Sequence, residues 1–76
     1  MISLEKDVRD YIKRNVPTKE KLSEYSAQVI TMNILFGYSP IEENCGDPSD
    51  LTDEDGDYYD EIYSYVMKIK KEEGVL

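Results

Sequence analysis

The chain has 76 residues, one cysteine and no histidine, and 17 acidic against nine basic side chains give it a net charge of −8. This length fits a single domain with a thin core, and the lone thiol of Cys45 excludes an intrachain disulfide. Histidine, the usual general base near neutral pH, is missing, and the sequence has no phosphate-binding glycine loop or nucleophile elbow. We therefore expect a binding protein without a cofactor and not an enzyme.

The first predicted helix spans about residues 4–15. Four apolar residues recur at helical spacing and form one stripe: Leu4, Val8, Tyr11 and Ile12. Ser3 is a suitable N-cap residue for this helix. Pro17 ends it, because a residue that precedes proline avoids helical backbone angles.

The second predicted helix spans about residues 19–37, between Thr18 as N-cap and Gly37 as C-terminal stop. One face of it carries Leu22, Tyr25, Val29, Ile30, Asn33 and Phe36, and further apolar residues widen that face. A helix that is apolar over most of its circumference is a buried, central one. The competing interpretation is a strand over residues 29–36, where β-branched residues are frequent, which would make the fold α+β.

An acidic loop is predicted over residues 39–52, followed by a third helix over about residues 53–73. Thr52 resembles the first residue of a capping box, and Gly74 is a suitable end. The apolar stripe of this helix consists of Tyr58, Ile62, Tyr65, Val66 and Ile69. We therefore expect residues 1–76 to form one small, mainly α domain of three helices.

The charges are unevenly distributed along the chain. Residues 1–38 hold six basic and five acidic side chains, whereas residues 39–67 hold ten acidic ones and no basic one. The last nine residues, 68–76, return three lysines against two glutamates. One acidic block therefore lies between two segments of mixed charge.

Within the acidic block, Asp53, Asp57 and Glu61 are four residues apart and should align on one side of the third helix. Three further acids flank this row: Asp50, Glu54 and Asp60. Neighbouring carboxylates repel each other, and no lysine or arginine is interleaved to relieve the repulsion. The functional interpretation is that the row imitates the phosphates of DNA, and the alternative is that the acids only confer solubility.

Tyrosines lie among these acids, and two of them, Tyr59 and Tyr63, are off the centre of the predicted apolar stripe. Tyrosine is enriched in protein interfaces, so both residues are candidates for partner contacts beside the acids. The alternative is that Tyr59 and Tyr63 pack at the edge of the core.

Two other kinds of site are disfavoured. Asp50, Thr52, Glu54 and Glu61 occupy positions 1, 3, 5 and 12 of an EF-hand window, but Gly56 falls at position 7 and not at the required position 6. We therefore expect no metal.

Six basic residues of the first half could form a small positive rim, but nearby acids and the overall negative field oppose direct nucleic-acid binding. These residues are Lys6, Arg9, Lys13, Arg14, Lys19 and Lys21.

The base-free block from Ser39 to Met67, and the tyrosines alternating with acids from Asp57 to Tyr65, resemble the small acidic DNA-mimic proteins of bacteriophages. The resemblance lies in charge layout and covers mainly the carboxy-terminal half. It implies a partner with a basic DNA-binding surface, such as an HU-type nucleoid protein, a defence nuclease or a polymerase, whose DNA binding is inhibited. The tyrosine pair at 58 and 59 is also similar to that of bacteriocin immunity proteins, whose tyrosine pair and acids bind a nuclease toxin. The alternative function is therefore a non-catalytic helical interaction or immunity-type module, with acids that can serve solubility.

The sequence contains no apolar run near the ~20 residues of a membrane span, and its amino terminus alternates charge too early for a signal peptide. We therefore expect a cytoplasmic protein that does not contact membranes, located in the host cell if a phage encodes it. Homodimerisation is neither required nor excluded.

Overall fold

The computed structural model describes residues 4–76, which form four α-helices and one 3-10 turn. The elements in chain order are α1 (Leu4–Asn15), α2 (Lys19–Glu24), α3 (Ala27–Phe36), the 3-10 turn (Pro48–Asp50) and α4 (Asp53–Glu72). The predicted small, mainly α domain is confirmed. The proposed N-cap Ser3 lies outside the described residues.

The second predicted helix is interrupted, so the expectation of one continuous helix over residues 19–37 is wrong. Tyr25 and Ser26 have extended backbone angles, and the Ser26 hydroxyl accepts a hydrogen bond from the Val29 N–H at 3.2 Å. A serine hydroxyl competes with the helix for nearby backbone donors and favours a helix start at this point. The break separates the short α2 from α3.

The alternative of a strand over residues 29–36 is also wrong, since α3 occupies this segment and the described part of the chain contains no strand. Helix α3 ends at Gly37 as predicted, in a left-handed conformation with φ of 72° that glycine adopts without strain. The other predicted ends are confirmed as well. Pro17 follows α1, Thr18 caps α2, and Gly74 lies beyond the end of α4.

The core lies where α4 packs against α3 and α1. Its buried apolar side chains come from every helix: Val8, Ile12, Val16, Leu22, Ala27, Ile30, Ile62, Val66 and Ile69. Phe36, which the sequence pattern assigned to the buried face, is 47% exposed because it lies in the last turn of α3, next to Gly37. Within residues 4–76 no helix combines the length and the apolar character needed to cross a bilayer.

Candidate protein-interaction surface

The start of α4 is held by a tight turn and an N-cap. The Asp47 carboxylate accepts a hydrogen bond from the Ser49 N–H at 2.9 Å, which lowers the pKa of Asp47. Thr52 Oγ1 then accepts a hydrogen bond from the Asp55 N–H at 3.2 Å. Because the first N–H groups of a helix otherwise have no partner, the Thr52 cap stabilises α4 at this residue. The chain therefore enters α4 in a defined direction.

The second half of α4 anchors the helix to the rest of the domain. Ile62, Val66 and Ile69 are buried, with at most 6% of their surface exposed. Lys70 is buried as well, and its Nζ donates a hydrogen bond to the Leu22 carbonyl oxygen at 2.7 Å. Burial lowers the pKa of Lys70. The buried half thus fixes the direction in which the first half projects.

The acid row, defined as Asp53, Glu54, Asp57, Asp60 and Glu61, lies on the outward side of α4. All five side chains are exposed, and so is Asp50 in the preceding 3-10 turn. Since successive residues of an α-helix are about 100° apart, the five positions fall within an arc of about 120° opposite the buried positions. The structure thus brings the five acids of the row to one side of α4, and Asp50 precedes them in the 3-10 turn.

The row has a charge density close to that of nucleic acid. From Asp53 to Glu61 the helix rises about 12 Å, so five carboxylates give about one negative charge per 3 Å of axis. One strand of duplex DNA carries one phosphate charge per about 3.4 Å. Basic side chains return to α4 only at Lys68, almost two turns beyond the row.

The tyrosines are arranged differently from the sequence prediction. Tyr58 was placed in the apolar stripe but is 51% exposed, whereas Tyr59, predicted as a contact residue, is half-buried. Tyr59 stacks on Tyr63, with ring centroids 5.7 Å apart and ring planes inclined by 25°. Burial, together with the neighbouring Tyr63 and Asp60, raises the pKa of Tyr59.

The physical reason is the phase of the buried stripe. Counting back from Val66 by seven residues and from Ile62 by three leads in both cases to Tyr59, so its side chain turns towards the core. Tyr58 is displaced by about 100° and turns towards solvent beside the acid row. Because Tyr58 also lies at helical spacing from Ile62, four residues before it, the spacing alone does not distinguish the two tyrosines.

Tyr58 therefore joins the candidate surface, and Tyr63 stays in it. Glu54, Asp57, Tyr58 and Glu61 line one shallow depression on α4. A second depression lies between the acid row and the turn that precedes it, lined among others by Pro48, Asp53, Asp57, Tyr59 and Asp60. The outward side of α4 thus offers carboxylates with an exposed tyrosine on either flank, Tyr58 and Tyr63.

The EF-hand arrangement does not occur in the window from Asp50 to Glu61. An EF-hand loop wraps around its cation, whereas this segment is helical from Asp53 onwards. Straight helical geometry directs Glu54 and Glu61 outwards instead of bringing them together with Asp50 around one point. Within the described residues no group of three or more potential metal-binding side chains is assembled.

The acidic loop before α4 is attached to the core by Asn33, which the sequence pattern placed on the apolar face of the second predicted helix. Asn33 is fully buried in α3, and its Nδ2 donates to the carbonyl oxygens of Val29 and Glu42, each at 2.8 Å. Its Oδ1 accepts a hydrogen bond from the Glu42 N–H at 2.8 Å. The half-buried Cys45 lies beside it, with Sγ 3.5 Å from Asn33 Nδ2. The signal was a polar residue on an otherwise apolar helical face.

Comparison with protein-family models, with curated proteins and with solved structures found no match to this chain. The candidate surface is therefore defined by its own geometry and charge.

Proposed function

We propose that the protein binds the basic DNA-binding surface of another protein through the acid row and Asp50, and thereby inhibits DNA binding by that partner. The observation that carries the proposal is the exposed acid row on one outward arc of a helix whose other half is buried. Such a row offers a fixed array of negative charge to a groove that has evolved to bind phosphates. The protein acts by occupying this groove and not by catalysis.

Rigidity supports this proposal because ordering a mobile acidic segment on binding would cost conformational entropy. Here the row is already ordered by the Thr52 cap and by the burial of Ile62 and Val66. Tyr58 and Tyr63 add apolar contact area beside the charges, a role for which tyrosine loses little side-chain entropy.

The test begins with a variant in which Asp57→Asn, Asp60→Asn and Glu61→Gln remove three charges from the acid row. This row variant and the wild-type protein are immobilised in parallel, and bacterial lysate is passed over both at low salt. We expect the wild type to retain basic DNA-binding proteins that the row variant retains poorly. Duplex DNA added in solution should elute them from the wild type.

A matched control variant carries Asp7→Asn, Glu20→Gln and Glu73→Gln, all at exposed positions outside the row. It has the same net charge as the row variant, so any difference between the two reflects the location of the charges. The control should retain the same proteins as the wild type. Retention of one protein set by all three forms, or of proteins that do not bind DNA, would contradict the proposal.

A second candidate function is a helical interaction module of the immunity type, in which the acids serve solubility. The exposure of Tyr58, and separately that of the aromatic pair Phe36 and Tyr38, favours it. Binding through these side chains would be insensitive to salt. Substituting Tyr58 or Tyr63 with alanine would then weaken binding more than neutralising the row.

A further inference from the structure

A half-open groove of about 410 Å³ lies between α1, α2 and the C-terminal end of α4. Its floor is apolar and includes Ile12, Leu22 and Ile69, which come from three different helices. Sites of this volume typically accommodate one or a few side chains or a small ligand. The groove lies at the opposite end of α4 from the acid row.

The rim of the groove is basic, although the molecule as a whole is strongly acidic. Lys6, Lys13 and Lys19 are exposed on it and form no salt bridge with any residue from 4 to 76. Arg9, also on the rim, is already paired with Glu5 and Glu72. Two acids, Asp10 and Glu73, line the groove as well, so its three lysines without a salt bridge outnumber them by one.

An apolar floor with free ammonium groups above it fits an apolar side chain flanked by carboxylates. The outward side of α4 presents this combination, because Tyr58 is 51% exposed and lines one depression with Glu54, Asp57 and Glu61. A copy cannot place Tyr58 in its own groove, because Tyr58 and Ile69 are about 16 Å apart along one helix axis. A Tyr58 side chain that enters this groove must therefore belong to a second copy of the chain.

We propose that the groove binds the acid row and Tyr58 of a second copy of this chain, which gives a head-to-tail association. Such a contact leaves one groove and one row free at the two ends, so further copies add until a ring closes or an open chain results. The net charges of two copies repel, but at 0.15 M salt they are screened beyond about 8 Å, whereas contacts within the groove are not. Association should therefore be strongest at moderate salt.

The test uses two charge-reversal variants that each remove one half of the contact. In the groove variant, Lys13→Glu and Lys19→Glu reverse the rim. In the reversed-row variant, Asp57→Lys and Glu61→Lys reverse the row. We expect wild-type protein to form concentration-dependent oligomers in sedimentation velocity, and each variant alone to remain monomeric. Because each variant keeps the half that the other has lost, and the reversed rim and the reversed row are again opposite in charge, an equimolar mixture of the two variants should regain association.

The matched control carries Arg14→Glu and Lys71→Glu, which change the net charge as the groove variant does but at exposed positions outside the groove. This control should associate as the wild type does, and circular dichroism verifies that every variant is folded. A wild-type protein that stays monomeric over the whole concentration series would overturn the inference, and so would a mixture of the two variants that fails to associate.

Self-association through the groove and partner binding through the acid row can be tested separately. The groove variant should still retain the DNA-binding proteins that the wild type retains, because its acid row is intact. Loss of self-association without loss of partner capture therefore separates the groove from the proposed function.

Discussion

At the scale of single residues, the fixed position of the acidic loop depends on Asn33. Both polar atoms of this fully buried amide are used, and they satisfy the N–H and the carbonyl oxygen of Glu42 at 2.8 Å each. Both hydrogen bonds are only partly buried, because Glu42 itself is exposed, so the loss of each costs about 1 kcal/mol. One side chain therefore holds the acidic loop that leads to α4 against α3.

We predict that Asn33→Ala lowers the free energy of unfolding by about 2–4 kcal/mol, because two backbone groups of Glu42 lose their partner and a small cavity opens. Chemical denaturation with urea measures this change. Asn44→Ala, at an exposed position of the same loop, serves as the control and should change the free energy by less than about 0.5 kcal/mol. Equal effects of the two substitutions would show that Asn33 does not anchor the loop.

At the scale of helices, most ends could be predicted because their signals are local. Pro17, Gly37, Thr52 and Gly74 act through their own backbone angles or through hydrogen bonds to residues a few positions away. The break at Ser26 was missed because the apolar pattern continues across it. An N-cap serine inside a periodic run is recognised only once the two helices are seen to pack separately.

The candidate surface was less predictable, because burial on a helix depends on what packs against it. The five acids of the row could be assigned to one face of α4 from their spacing alone. The burial of Tyr58 and Tyr59 could not be assigned in this way. The predicted apolar stripe includes Tyr58, whereas the structure turns the next residue, Tyr59, towards the core. Asn33 bonds to Glu42, nine residues away, and such a contact has no periodic signature.

Helices α1 and α4 are joined by an ion pair whose strength should depend on pH. The hydrogen bond from Arg9 lowers the pKa of Glu72 below its ordinary value of 4.5. The folded-state pKa is thus below the unfolded-state value, so the pair contributes stability above pH 4.5, and this contribution is lost as the pH falls through the folded-state pKa. Both groups are exposed to solvent, so the contribution is small.

We predict that Glu72→Gln lowers the thermal unfolding midpoint at neutral pH and that the difference from wild type shrinks towards zero below pH 4.5. Glu73→Gln changes the exposed neighbouring position outside the ion pair and is the control. Melting curves between neutral pH and pH 3 measure both variants. A difference that persists unchanged at the lowest pH would contradict the assigned role of the Arg9–Glu72 pair.

The carboxylates of the acid row repel each other. The charges that we assign to partner binding should therefore lower the free energy of unfolding. Asp57→Lys replaces two repulsive contacts, with Asp53 and Glu61, by two attractive ones of about 0.2–0.5 kcal/mol each. We therefore expect Asp57→Lys to raise the free energy of unfolding by about 1 kcal/mol, measured with urea, and to weaken partner binding.

The control substitution is expected to change the free energy of unfolding in the opposite direction. Asp10 in α1 lies four residues from Lys6 and from Arg14 and attracts both without a direct ion pair, so Asp10→Lys turns two attractions into two repulsions. It should lower the free energy of unfolding by a similar amount. If Asp57→Lys proved destabilising instead, the acid row would not be under electrostatic strain, and its lack of basic residues would need no functional explanation.

At the largest scale, the domain has two ends of opposite charge, one at each end of α4. The acid row and Asp50 lie at the N-terminal end of α4, and the basic groove lies at its C-terminal end. Burial of Ile62, Val66 and Ile69 in the core keeps the two ends apart. The proposed function uses the first end, and the proposed self-association joins the two.

If the proposed function is right, the acid row occupies a surface of the partner that otherwise binds DNA. The most direct test is a competition measurement, in which fluorescence anisotropy follows a labelled DNA duplex on a basic partner retained in the capture experiment. We predict that the wild-type protein displaces the duplex completely. The variant with Asp57→Asn, Asp60→Asn and Glu61→Gln should need about tenfold more protein, since each exposed charge contributes about 0.2–1 kcal/mol. A ternary complex, in which the protein is bound while the duplex stays in place, would contradict the claim.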